Sequence, residues 1–152
     1  MNWDLIFSVT NSWALLMWLI LAFAPRREIV VNGIFYGGVG LLSLTYAVII
    51  IPLMTGMIDG GSGGTPDFST LQGVQQLLSS DGGATIGWIH YLAFDLFVGI
   101  WVARNADQYG FSRIVQIPLL FFTLMLGPFG LTLYLLLRAT RHNKVADAVV
   151  PQ

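Results

Sequence analysis

The sequence has no cysteine, which excludes disulfides, thiolate nucleophiles and thiolate metal sites and leaves the redox compartment open. It is also poor in charge: Asp, Glu, Lys and Arg make up 10% of the 152 residues, against roughly 25% in a soluble domain. At a net charge of −1 it has no basic excess to neutralise phosphates, so no nucleic-acid partner is expected. No cleavable leader is expected either. The first apolar stretch begins at Leu5 with no basic segment before it and runs too long for a signal peptide, and no plastid-type Arg- and Ser-rich segment precedes it. The expectation is a prokaryotic protein or a mature form.

Apolar surface is what the chain has in excess. Hydrophobic residues are 55% of the sequence, more than so short a chain can hide in a globular interior, and lipid is the solvent that fits. Four charge-poor stretches, 5–25, 29–58, 82–103 and 114–137, each reach the roughly 20 residues a helix needs to cross about 30 Å of hydrocarbon. Pro25 and Pro52 mark the ends of the first two. The predicted architecture is an all-α integral membrane bundle of four helices near 4–24, 29–54, 84–105 and 112–138. It forms a single domain over 1–141, followed by a short polar tail, 142–152. Between the second and third spans, a glycine-rich connection without Lys or Arg carries Leu71, Val74, Leu77 and Leu78 at helical spacing. That spacing predicts a short amphipathic helix at the interface, the alternative being a flexible loop.

Arg26, Arg27, Arg104 and Arg113 lie in two loops that four spans put on one side, the cytoplasmic one by charge bias. The same count sends both termini, and with them Arg138, Arg141 and Lys144, to the outside. Helix contacts in lipid depend on small residues, which mark Gly33, Gly37, Gly38, Gly40 and Ser43 in the second span and Thr123, Gly127 and Gly130 in the fourth. Pro128 is expected to kink the fourth span, free the carbonyl of Leu124 and open space for a ligand. Trp3, Trp18, Trp88 and Trp101 suit an interfacial belt, whereas Trp13 falls near mid-span.

The third span holds two ionisable residues, His90 and Asp95. A carboxylate at mid-span costs on the order of 2.5–3.5 kcal/mol by insertion scales, so it is protonated, paired or facing a wet cavity, and it reads as functional by default. Five positions along a helix turn about 140°, so the two do not share a face as a metal-chelating i, i+4 pair does. No other acid or histidine lies within the spans, and His142 falls beyond the last, so no metal is expected. Asp95 aligns with Trp88, Tyr91 and Gly99, and His90 with Phe94, Phe97, Trp101 and Arg104. They can flank one cavity from adjacent sectors. Alternatively they form a buried polar knot, Asp95 bonding Asn11, Ser12 or Thr123 and His90 bonding a carbonyl. Arg104, at a helix end, can snorkel to the headgroups.

The run Trp88-Ile89-His90-x-Leu92-Ala93-x-Asp95-Leu96-Phe97, with Gly127-Pro128-x-Gly130-Leu131 in the last span, resembles the abscisic-acid-deficient-four-like family of small membrane proteins. Its plant members are required for neoxanthin formation from violaxanthin in plastids. The likeness lies in the third and fourth spans. In the first two it reduces to the small four-span layout and the Ala24-Pro25 step, and after Phe97 the chain departs from the plant members. The resemblance implies a redox-neutral isomerisation of an epoxycarotenoid, which needs an acid, a base and a long apolar cavity but no metal or nucleotide cofactor. Asp95, kept protonated by apolar surroundings, would be the acid and neutral His90 the base. Tyr91 or Tyr36 would orient the oxygen, with Trp88 and Asn11 completing the substrate site. The expected surroundings are the bilayer, a carotenoid or other isoprenoid, and a second copy or membrane partner, in a bacterial inner or thylakoid-type membrane. Two other readings remain: an accessory subunit packing through its glycine faces, and a transporter or proton relay. The transporter is disfavoured by the absence of a two-fold repeat.

Overall fold

The computed structural model describes residues 1–61 and 68–149, with side chains through Arg141; Gly63, Gly64 and Pro66 of the glycine-rich connection and residues 150–152 of the tail lie outside the described residues. All regular structure among the described residues is helical. We label the helices α1 (Trp3–Phe23), α2 (Glu28–Met54), α3 (Leu71–Leu78), α4 (Asp81–Gln108), α5 (Arg113–Leu126) and α6 (Pro128–Val149). Three of them, α1, α2 and α4, are long and apolar enough to cross a membrane. Side chains one residue ahead of three helices satisfy their first free amides: Asn2 accepts from Leu5 N (3.0 Å), Thr70 from Gly73 N (3.1 Å) and Ser80 from Gly83 N (3.0 Å). The short amphipathic helix expected within 69–79 is α3, and it packs on the start of α4, with Leu78 against Gly87.

α4 is the axis of the bundle. Along α1, Trp3 approaches Gly82, Asn11 bonds Trp88 and Trp18 lies on Gly99, and just past its end Arg26 bonds Ala103, so α1 and α4 run parallel. α2 runs the other way: Phe35 meets Phe97 (6.3 Å between ring centroids) and Tyr46 meets His90 (5.6 Å). Within α2 the segment Phe35–Gly40 is a π turn, which interrupts the regular hydrogen-bond ladder. There the Gly37 carbonyl accepts from the indole N–H of Trp13 (2.8 Å). This bond is the reason a tryptophan stands at mid-span in α1, since a partly buried indole needs an acceptor. Gly38 is where α2 comes nearest its neighbours; a Cβ there would lie 2.9 Å from Leu96 and 3.0 Å from Met17.

The fourth span differs from expectation. Instead of one kinked helix over 112–138, the chain stops at Gly127 (φ +39°, ψ −95°) and starts again at Pro128. Glycine adopts that left-handed φ without penalty, and proline suits a first helical position because its missing N–H would have no partner there. The chain then doubles back. Tyr134 Oη donates to Asn105 Oδ1 (2.6 Å), Arg138 Nη2 to Tyr109 Oη (3.0 Å) and Arg141 Nη1 to the carbonyls of Tyr109 (3.3 Å) and Gly110 (3.2 Å). Those acceptors stand just ahead of α5, so α5 and α6 are the two arms of a hairpin. α5, at 14 residues, is about 21 Å long and falls short of a full crossing. In place of a four-span bundle the chain forms three long helices plus a half-depth hairpin, and α6 runs on as helix to Val149.

This geometry also corrects the expected placement of charge. The hairpin returns Arg138 and Arg141 to the end of the bundle that holds Arg26, Arg27, Arg104 and Arg113, with Lys144 farther along the same helix. The opposite end holds Asp4, Asp59 and Asp81. The conflict between the basic loops and the basic tail came only from counting the hairpin as a crossing.

Candidate functional site around Asp95 and His90

Asp95 sits in the middle of α4, half-buried, level with the tip of the hairpin. Its carboxyl lies against Gly127: a Cβ on that glycine would be 2.5 Å from Oδ1 and 3.1 Å from Oδ2. Glycine at 127 thus answers two demands, the backbone reversal and the room for this carboxyl. Pro128, the next residue, opens α6, so Asp95 stands beside a helix N-terminus that carries about half a positive charge. Among the described residues Asp95 accepts no hydrogen bond and makes no ion pair. The polar knot expected around it is not formed. Asn11 Oδ1 accepts instead from Trp88 Nε1 (3.1 Å), the Thr123 hydroxyl donates to Leu119 O of its own helix (2.8 Å), and Ser12 faces a groove between α1 and α2.

His90 is exposed on another sector of α4. It makes no hydrogen bond to a carbonyl among the described residues; its ring packs on Phe94 (4.6 Å), Tyr46 (5.6 Å) and Tyr91 (6.1 Å). With Tyr46, Tyr91, Leu53 and Ile86 it lines a cleft of about 230 Å³, roofed by Leu77 and its neighbours in α3. Asp95 is not part of that lining. The two ionisable groups therefore flank an open stripe of α4, and Tyr91 and Phe94, 60% and 59% exposed, lie between them. That stripe is bare because the hairpin ends level with Asp95 and leaves the remainder of α4 uncovered on its side.

The other residues expected at the site are more scattered. Trp88 and Asn11 are joined to each other at the Trp3 end of the bundle, with Phe7 against the Trp88 ring (5.9 Å). Tyr36 is 71% exposed in the π turn, its ring edge-on to Phe35 (5.2 Å), and no ring contact among the described residues joins it to His90. Of the two tyrosines proposed to orient an oxygen, only Tyr91 is placed next to His90. Among the described residues no three acidic or histidine side chains stand together as metal ligands.

A polar network at the arginine end was not foreseen from the sequence. Arg26 Nη1 donates to Ala103 O (2.5 Å) and Asp107 Oδ2 (3.0 Å), while fully buried Gln116 donates to Asp107 Oδ1 (2.8 Å) and Phe111 O (2.7 Å). Burial holds the Arg26 guanidinium below its ordinary pKa; the Asp107 carboxylate opposes that, and nearby Arg113 adds to it. The signal for it was a glutamine inside an apolar run, which needs partners once buried.

No curated protein and no solved structure matches the chain. Residues 5–134 match the family model described as ABA DEFICIENT 4-like, and the chain belongs to that family.

Proposed function

We propose that the protein acts in the bilayer on a carotenoid or related isoprenoid, as a redox-neutral isomerase of an epoxide-bearing chain. The observation that carries this reading is the Asp95 carboxyl at mid-span, without a hydrogen-bond partner among the described residues and beside a stripe open to lipid. An ionisable group kept at that depth without a structural bond points to chemistry. Family membership and the lateral opening favour a long apolar substrate over a water-soluble one. In the proposed step Asp95 gives a proton to the epoxide oxygen as its C–O bond breaks. His90 takes a proton from a vinylic carbon, and an allenic double bond forms. One proton is given and one taken, so no oxidant or reductant is consumed. The separation of the two groups by Tyr91 and Phe94 suits an extended molecule lying along α4 better than a compact one.

The test is expression in a host that accumulates an epoxycarotenoid, comparing wild type with Asp95→Asn and His90→Ala by pigment chromatography. The expected result is a new isomer from wild type and a fall of about a hundredfold or more in both variants. Identical pigment profiles from all three proteins would sink the catalytic reading. One observation favours a second reading, an assembly subunit. Gly33 and Gly37 of α2 have no atom of another element within Cβ contact distance, so this GxxxG face is unused inside the chain. Pigment retained through purification supports the first reading, and a stoichiometric protein partner in mild detergent supports the second.

A further inference from the structure

We propose that the cleft between α2 and α4 at the arginine end binds one anionic phospholipid, its phosphate on Arg104 and Gln108 and an acyl chain against Phe35, Phe97 and Trp101. The cleft encloses about 300 Å³ and divides by chemistry along its length: aromatic and aliphatic side chains line the part nearer mid-membrane, and Arg104, Asn105 and Gln108 form the rim. No acidic residue lines it.

The cation at the rim is unspent. Arg26, Arg113, Arg138 and Arg141 all donate to carbonyls, a carboxylate or a phenol oxygen. Arg104 is exposed and makes no hydrogen bond or ion pair among the described residues. Its neighbour Asn105 accepts from Tyr134 and donates to Gln108 Oε1 (3.2 Å), which turns the Gln108 amide so that its nitrogen remains to donate. A guanidinium and an amide N–H₂ on successive turns of one helix suit a phosphate. Arg104 also borders a second cavity of about 350 Å³, where Glu28 and Asp107 stand. Asp107 is neutralised there by Arg26, but Glu28 is exposed and repels an anion, so the phosphate is favoured on the aromatic side.

A free phosphate would use the rim and leave three aromatic rings facing lipid. A phospholipid uses both halves. The arginine end is the one that charge bias places in the cytoplasm, where the leaflet carries anionic lipid. This inference is independent of the isomerase reading, since the cleft holds neither Asp95 nor His90.

The full chain in mild detergent would be offered equal amounts of phosphatidylglycerol and phosphatidylcholine, and bound lipid read by native mass spectrometry. Wild type is expected to retain one phosphatidylglycerol in preference to phosphatidylcholine. Arg104→Gln should lower that retention at least tenfold and Phe97→Ala should lower it as well, with unchanged thermal melting. Arg27→Gln, which removes the other unpaired arginine but lies outside the cleft, should leave it unchanged. Equal retention by wild type and Arg104→Gln, no preference between the lipids, or loss of the lipid to an equal concentration of inorganic phosphate would each overturn the proposal. So would an isoprenoid found in place of the phospholipid.

Discussion

Two glycine-rich segments, 33–40 in α2 and 127–130 between α5 and α6, do opposite things to the chain. The first carries more glycine, yet α2 remains one helix of 27 residues, locally widened into a π turn whose Gly37 carbonyl is satisfied by Trp13. The second has only two glycines, and there the chain reverses. The difference lies in backbone conformation and in proline. Every residue of the α2 segment has negative φ, whereas Gly127 has φ +39° and is followed by a proline that can begin a helix but not continue one. Small residues permit close approach in both places. Only the Gly-Pro pair sets a stop and a start in succession.

The strongest test of this contrast is topological, and the absence of native cysteine makes it direct. Single cysteines at Asp59, Arg27 and Thr140 would be labelled from one side of the membrane with an impermeant maleimide. Thr140→Cys should side with Arg27→Cys and opposite Asp59→Cys, an all-or-none outcome; a Thr140 label on the Asp59 side would restore four full crossings. Next comes Gly130→Ala. The backbone and hydroxyl of Thr123 occupy the space a Cβ would need, so the hairpin cannot close unchanged, and a loss of about 3 kcal/mol is expected in reversible unfolding. Gly33→Ala is its counterpart. Nothing crowds that position, and a gain of up to about 1 kcal/mol from helix propensity is expected; a loss would point to a partner helix on that face. The smallest effect is Trp13→Phe, about 0.6 kcal/mol from leaving the Gly37 carbonyl without its donor, with hydrogen exchange changed only within residues 35–42.

The candidate site was half legible. Asp95 and His90 stood out because ionisable residues are rare at mid-span, and a helical wheel already separated them by about 140°. Their surroundings were not legible. Nothing local to Asp95 indicates that Gly127, thirty-two positions on, supplies its contact, because that contact exists only once the hairpin has turned back. The same holds for Asn11, which by type could bond Asp95 but whose amide oxygen accepts from Trp88, where the parallel register of α1 and α4 places it. In the sequence Gly127-Pro128 reads as a kink because the apolar run on either side has the length of one crossing. Hydropathy averages over the break and gives no sign of reversal.

By itself the sequence determined the solvent, the helical class, the three long helices and the depth of the two ionisable groups. Each follows from composition, run length and position along a single helix, which are local quantities. Tertiary structure alone decided that the last apolar run is a hairpin and that six arginines gather at one end. It also decided that Asp95 faces a helix start beside a lipid-facing stripe. These depend on the sign of one backbone dihedral at Gly127, which a kink and a reversal leave equally open in the sequence, and on packing between residues far apart in the chain.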